Sequence, residues 1–287
     1  MSPEKKPITR KANAKINLTF EVLGQRRDGY HEIISVMQAI SLCDVLTFEP
    51  HDGIQLACDV AELVSPNNLV YKAATLMQGL ARGSRGVAIT LGKGIPPASG
   101  LGGGSSDAAV TLQVLNKMWG INLPHKRLVD VAAQLGSDVP FFVSGSPTTL
   151  ATGRGEKVEA LPSPAKTWVV LLRPPIEMPN KTKEMYAHLD PAGFTTGQHA
   201  RRLASSIRAG ERITSRQCFN VFDPLALSVI PGLNHYRHEF LAAGAAEVHL
   251  AGAGPTLFTL VGGRGKGEEI LHWLKKLRME AYLAETV

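Results

Sequence analysis

Residues 95–109 read Ile-Pro-Pro-Ala-Ser-Gly-Leu-Gly-Gly-Gly-Ser-Ser-Asp-Ala-Ala. Gly100, Gly102, Gly103 and Gly104 lie close together, and a backbone without Cβ atoms can approach an anion closely. Ser105 and Ser106 follow. Ala108, Leu112, Leu115 and Trp119 then recur at helical spacing up to a stop at Gly120. A glycine loop that feeds a helix offers free N–H groups and the positive end of the helix dipole, which is the chemistry of a phosphate site. No Lys follows Gly104, so the segment is not a Walker A loop. Counted from Gly100, the last slot of the dinucleotide fingerprint is filled by Ser105, so it is not that motif either. A flexible glycine-rich linker would not run straight into an amphipathic helix.

Phosphoryl transfer also needs a positioned acceptor hydroxyl and a base for its proton. In residues 14–22, Ile16, Leu18, Phe20 and Val22 alternate with Lys15, Asn17, Thr19 and Glu21. This predicts a half-buried strand with Lys15 and Asn17 on one polar face, which is either solvated or lines a cleft. In residues 135–142, Leu-Gly-Ser-Asp-Val-Pro-Phe-Phe, a tight non-helical segment before Pro140 carries Asp138. Taken alone, Asp138 is a turn or capping residue as readily as a base. Tyr30 and His31, after the Asp28-Gly29 turn, offer a π-face and a ring with both donor and acceptor. That suits a flat polar base, and equally a half-buried aromatic after a turn.

The loop, with Pro96 and Pro97 before it, resembles the ATP loop of the GHMP kinase superfamily. Its triple glycine and Ser-Ser-Asp-Ala-Ala ending resemble in particular the members that phosphorylate a cytidine diphosphate-linked alcohol in the non-mevalonate isoprenoid route. Residues 12–18, Ala-Asn-Ala-Lys-Ile-Asn-Leu, resemble the N-terminal motif, and the segment around Asp138 resembles the one bearing the catalytic Asp; all three occur in family order. The resemblance implies Asp138 as general base on the acceptor hydroxyl, with Lys15 favouring its carboxylate and stabilising the transferring phosphoryl group. It implies ATP held by Pro96, Pro97, Gly100, Leu101, Gly102, Gly103, Gly104, Ser105 and Ser106, with Asn68 and Lys93 toward adenosine. For the substrate it implies Asn17, Tyr30 stacked on cytosine, His31 hydrogen-bonded to it, and Thr182 and Tyr186 from the segment 179–186. Two departures stand out: Lys181 occupies a position where Ser is often found, and Ala251 and Ala253 stand where the C-terminal glycine turn usually has Ser. Mg2+ is expected from the reaction class, within reach of Ser105 or Ser106 and without a dedicated carboxylate cage.

The 287 residues, 44% hydrophobic and 20% charged, suit a globular protein of two domains. No apolar stretch approaches the ~20 residues of a membrane span. The basic N-terminus has no apolar run behind it, so no secretory signal is expected. Lys15 lies too near the start for a transit peptide, which predicts a bacterial cytoplasmic protein. Cys43, Cys58 and Cys218 are far apart and fit a reducing compartment. The net charge of +6 suits a protein that handles polyphosphates and also one that binds nucleic acid. The pairs Arg26-Arg27, Arg201-Arg202 and Lys275-Lys276 are not interleaved with aromatics as a single-strand groove would be. The expected partner is a small cytidine diphosphate-linked substrate, with no nucleic acid and no membrane, in a monomer or homodimer. Two other readings stay open: a GHMP kinase acting on mevalonate phosphate, homoserine or a sugar, and a basic nucleic-acid-binding protein.

The elements that must position these residues follow from periodicity and punctuation. Strands are predicted at 14–22, 33–40, 45–49, 87–91, 148–152, 157–161, 168–172, 247–250 and 256–261, with a short buried strand at 141–143. Helices are predicted from Asn67 and Asn68 through Leu80, from the glycine loop to Gly120, and around 128–135, 180–190, 197–209, 223–230, 236–243 and 267–279. Pro162 and Pro164 mark a boundary between an ATP-binding and catalytic domain, 1–162, and a substrate-side domain, 163–287. Strands and helices mix without strict alternation, which makes the class α+β. The resemblance implies an N-terminal ribosomal-protein-like domain and a C-terminal ferredoxin-like domain.

Overall fold

The computed structural model describes residues 6–287. Two long strands open the chain, β1 (Ile8–Gln25) and β2 (His31–Pro50). Between them the Arg26 N–H donates to Tyr30 O at 2.8 Å and Gly29 sits at φ 82°, so the Asp28-Gly29 turn behaves as the sequence predicts. There follow β3 (Ile54–Cys58), α1 (Leu69–Leu80), β4 (Val87–Gly92), α2 (Gly103–Met118), α3 (His125–Leu135) and α4 (Val139–Val143). Next come β5 (Thr148–Gly153), β6 (Lys157–Ala160), β7 (Trp168–Arg173), α5 (Lys181–Ala187), α6 (Gln198–Arg208) and β8 (Phe219–Asn220). The chain ends with α7 (Asp223–Val229), α8 (Leu233–Ala242), β9 (His249–Leu250), β10 (Leu257–Val261), α9 (Arg264–Lys276) and β11 (Glu280–Glu285). The mixture is α+β, as the sequence predicts, and among the described residues no helix is long and apolar enough to cross a membrane.

The chain forms two compact units, neither continuous in sequence. The first comprises the residues up to Ala14, Leu42–Pro97 and Gly102–Gly145. In it β4 pairs antiparallel with β2, from Val45 opposite Gly92 to Pro50 opposite Val87, and parallel with β3. Helices α1 to α4 pack over a core that includes Phe48, Met77, Ile89, Leu112 and Leu115. The Asn68 side chain accepts from the Val70 N–H at 2.9 Å and caps α1, as an Asn before an apolar helical run should.

The second unit comprises Lys15–Ser41, Ala98–Leu101 and Ser146–Val287. Its four-stranded antiparallel sheet runs β11-β7-β10-β9 and lies wholly within 163–287. Ile270 and Leu274 of α9 join Val170, Leu172 and Phe240 in its core. The expected boundary at 162 falls inside this unit, between β6 and β7. Here too β5 pairs with β2 from Ile33 to Gln38, and β8 pairs parallel with β1.

Several expectations are corrected. The two strands predicted at 33–40 and 45–49 are one, because β2 stays extended while its antiparallel partner changes from β5 to β4. The predicted strand at 141–143 is helical: Pro140 sits in the first turn of α4, where its missing N–H costs nothing, and the Ser144 N–H donates to Pro140 O at 2.9 Å. Asp138 likewise has helical dihedrals, φ −84° and ψ −16°, rather than a non-helical conformation. The strand predicted at 247–250 shrinks to β9. Strands β3, β8 and β11 have no counterpart among the expected strands. β11 is rich in Ala and Glu, poor strand formers, and is extended because β7 supplies its ladder.

Candidate active site

Lys15 and Asn17 stand on the polar face of β1, but that face does not meet water. Their relative exposures are 3% and 4%, and Thr19 and Glu21 beyond them are fully buried. The predicted half-buried strand is therefore buried on both faces, and Lys15 and Asn17 are held by hydrogen bonds inside the protein. Lys15 Nζ donates to Asn17 Oδ1 at 2.8 Å, Asn17 Nδ2 donates to Ser35 Oγ at 2.8 Å, and Ser35 Oγ donates to Thr19 O at 2.6 Å. The Lys15 N–H donates to Leu101 O at 2.9 Å, which ties the strand to the 98–101 segment of the glycine loop.

The C-terminal glycine turn closes on the same place. Gly100 has φ +87°, and a Cβ there would lie 2.3 Å from Ala251 O and 2.8 Å from Gly254 O. A Cβ on Gly252 would lie 3.4 Å from each of Asn17 Oδ1, Gly100 O and Lys15 Nζ. Gly100 lets the loop approach the turn to backbone contact, while Gly252 faces Asn17 and Lys15 at ordinary contact distance. Asn220 Nδ2 holds the turn by donating to Leu250 O at 2.9 Å and Gly252 O at 2.8 Å. The turn is thus fixed by Asn220 although Ala251 and Ala253 carry no hydroxyl.

Lys181, the other departure, opens α5 and reaches this cluster. Its Nζ donates to Ala98 O at 3.0 Å and also to Gly254 O. Burial, with the Lys15 and Arg173 charges, pushes its pKa down to about 8. Thr182 beside it is exposed.

Of the residues expected around cytosine, His31 and Tyr186 are brought together. Their rings stack at 4.5 Å and 15°, and Tyr186 meets Phe222 edge-on at 5.2 Å. Burial lowers the His31 pKa. Tyr30 is 55% exposed, with the Arg154 guanidinium 4.7 Å from its ring centre. A surface hollow lined by His199, Arg202, Glu211 and Arg216 shares no residue with this cluster.

In the first unit, α2 starts after Gly102 at φ +74° with no side chain capping it, and the Ser106 N–H donates back to Gly102 O at 2.9 Å. Gly102 has no side chain to cap this first turn, and the N–H groups of an uncapped helix start are the donors a phosphate cradle uses. Ser106 is buried and Ser105 half-buried. Lys93, expected toward adenosine, has its ammonium between Asp44 and Asp107, at 3.1 Å from Asp107 Oδ2. Asp44 also accepts from the Gly94 and Ile95 N–H groups, each at 2.7 Å. Burial, with the Asp44 charge and against that of Lys93, raises Asp107 to about 7. The polar atoms of Asn68 are likewise engaged within the protein, Oδ1 in the α1 cap and Nδ2 on Leu63 O at 2.9 Å. Asp138 occupies the N-cap position of α4, and its side chain does not cap that helix. Among the described residues no group of three or more His, Cys, Asp or Glu is gathered to hold a metal ion.

Ser35 and Asn220 were not anticipated. Each is a lone polar residue in an apolar run, Ile-Ile-Ser-Val-Met and Phe-Asn-Val-Phe, and that isolation was the signal available.

Known proteins share this architecture. Residues 68–146 match the family described as GHMP kinases N terminal domain. The chain is 45% identical over 281 residues, 98% of each protein, to 4-diphosphocytidyl-2-C-methyl-D-erythritol kinase of Dehalococcoides mccartyi. It is similar to a crystal structure of 4-(cytidine 5'-diphospho)-2C-methyl-D-erythritol kinase, with TM-score 0.83, 30% identity and coverage of 97% of this chain and 99% of that one. A crystal structure of L. major mevalonate kinase in complex with R-mevalonate shares the fold, with TM-score 0.74 at 14% identity over 99% of this chain and 97% of that one.

Proposed function

Because the chain belongs to the 4-diphosphocytidyl-2-C-methyl-D-erythritol kinase family of the GHMP kinases, we propose that it transfers the γ-phosphoryl group of ATP to the 2-hydroxyl of 4-diphosphocytidyl-2-C-methyl-D-erythritol. This places it in the non-mevalonate isoprenoid route, with the cytoplasm as its setting. Residues 1–162 carry the proposed ATP-binding and catalytic residues, and residues 163–287 add Thr182 and Tyr186 on the substrate side.

The observation that carries the reading is the burial of Lys15 and Asn17 against Gly252, with the Lys15 N–H on Leu101 O of the glycine loop. A solvated strand face would leave both side chains in water. A buried ammonium held by an amide beside a glycine loop is instead arranged to meet negative charge. The uncapped start of α2 suits the ATP phosphates, with residues 96–106 wrapping them and Asn68 and Lys93 on the adenosine side. ATP supplies the phosphoryl group, and Mg2+ is proposed to arrive with it, keeping waters and reaching Ser105 or Ser106.

In this proposal Asp138 accepts the proton of the acceptor hydroxyl. Lys15 favours the carboxylate form of Asp138 and stabilises charge on the phosphoryl oxygens. Asn17, fixed between Lys15 and Ser35, orients the acceptor. His31 supplies hydrogen bonds to cytosine, Tyr30 and Tyr186 supply ring faces, and Thr182 contacts the acceptor. The stack of His31 and Tyr186 supports a site for a flat polar ring, which mevalonate phosphate, homoserine and galactose lack.

The test is ADP release with MgATP against four acceptors: 4-diphosphocytidyl-2-C-methyl-D-erythritol, mevalonate phosphate, homoserine and galactose. Turnover with the cytidyl substrate alone is expected. Turnover with another acceptor would keep the kinase and discard the cytosine pocket, and turnover with none would overturn the reading.

A further inference from the structure

Lys181 is a half-buried cation whose hydrogen bonds end on neutral carbonyls. Its two acceptors are Ala98 O and Gly254 O, and among the described residues no carboxylate pairs with it. The charged groups that face it are Lys15 of β1 and Arg173 of β7, both cationic, and Arg173 is already paired with Glu280 at 2.6 Å. Desolvation and like charge both disfavour the ammonium there, and the opposite charge of an anion brought beside it would offset them. An ammonium has three N–H donors, and two carbonyls use two of them. The place is also one where negative charge is expected. Ala98 begins the segment whose Gly100 packs on the C-terminal glycine turn and whose Leu101 carbonyl accepts from the Lys15 amide. Nothing in the fold of α5 demands a lysine, since Met185 provides the buried anchor of that helix.

We propose that Lys181 is a polyphosphate-binding residue of this site: the carbonyls of Ala98 and Gly254 orient its ammonium, and its remaining donor meets a phosphate oxygen alongside Lys15. The identity of the polyphosphate rests on the kinase reading above. It is either the phosphate chain of ATP or the diphosphate of the acceptor, and one chemistry serves both.

The test uses the full chain with Lys181→Met, which keeps the apolar stem and removes the charge, and Lys181→Arg, which keeps the charge. Binding of ATP and of inorganic pyrophosphate is measured by titration calorimetry at two pH values on either side of 8, and KM is measured for each substrate. Lys181→Met should weaken at least one of these by about 10-fold or more, while Lys181→Arg stays within about 3-fold of wild type. Wild-type affinity should also fall as pH rises through about 8, because Lys181 then loses its charge, and Lys181→Arg should lose that fall. A KM rise confined to ATP assigns the contact to the ATP phosphates, and one confined to the acceptor assigns it to the acceptor diphosphate. The proposal is overturned if Lys181→Met binds ATP, pyrophosphate and acceptor as wild type does. A lowered unfolding midpoint with unchanged binding overturns it too, since Lys181 is then only a strut between loop and turn. If Lys181→Met does not fold, the pH comparison of wild type with Lys181→Arg decides. If wild type turns over no acceptor, the kinase reading fails, while ATP and pyrophosphate binding to the variants still tests Lys181.

Discussion

Replacing Gly100 by Ala tests whether the site is assembled by backbone contact. The new methyl carbon would lie 2.3 Å from Ala251 O and 2.8 Å from Gly254 O, and both obstacles are backbone. Two costs add. An L-residue held at φ +87° costs about 1–2 kcal/mol. Pushing the loop away from the turn costs about 1–3 kcal/mol more, the range for overpacking a tight contact. The total is about 2–5 kcal/mol. Gly210→Ala is the control. Gly210 has φ +73° and open space around its Cβ position, so it carries the first cost alone. Urea unfolding followed by circular dichroism compares the two variants, and ATP KM reports whether the loop has moved. Gly100→Ala should lower the unfolding midpoint beyond the control and raise ATP KM, because the displaced segment leads into the start of α2. Equal losses in the two variants would refute the contact argument.

Other outcomes follow from the same geometry. Asp138→Asn should lower turnover by ~10²-fold or more while ATP binding persists, and near-normal ADP release would remove its assignment as base. Tyr186→Ala removes the ring stacked on His31, so the KM for the cytidyl acceptor should rise about 10-fold, in line with stacking energies of ~1–3 kcal/mol per base. The KM for ATP should not change, and a matched rise in both would point to general disorder instead. Burial raises Asp107 to about 7, so the folded protein keeps a proton that the unfolded chain releases near the ordinary carboxylate value. Its stabilising contribution is therefore complete in acid and lost as pH rises through about 7. Asp107→Asn should flatten the fall of the urea midpoint over that window, and an unchanged slope would show that Asp107 does not cause it.

Features carried by contiguous residues are legible without the fold. The glycine loop and α2 were legible because free N–H groups at a helix start and an apolar stripe at helical spacing are local properties. The α+β class was legible for the same reason, since each period of two or of 3.6 is written within one segment. Alternation in β1 showed that Lys15 and Asn17 share a face. It did not show that the face is buried, because solvent access depends on Ser35, Leu101 and Gly252, which come from other parts of the chain. The aromatic pair before Val143 favoured a strand, and Pro140 in a first helical turn together with packing of α4 on its neighbours decided otherwise. β11 has little strand propensity of its own and takes its form from the β7 ladder. The stack of His31 on Tyr186, the hold of Asn220 on the C-terminal turn and the reach of Lys181 to Ala98 and Gly254 belong to the tertiary structure alone. Each joins groups far apart in sequence, and only the folded backbone sets the distance between them.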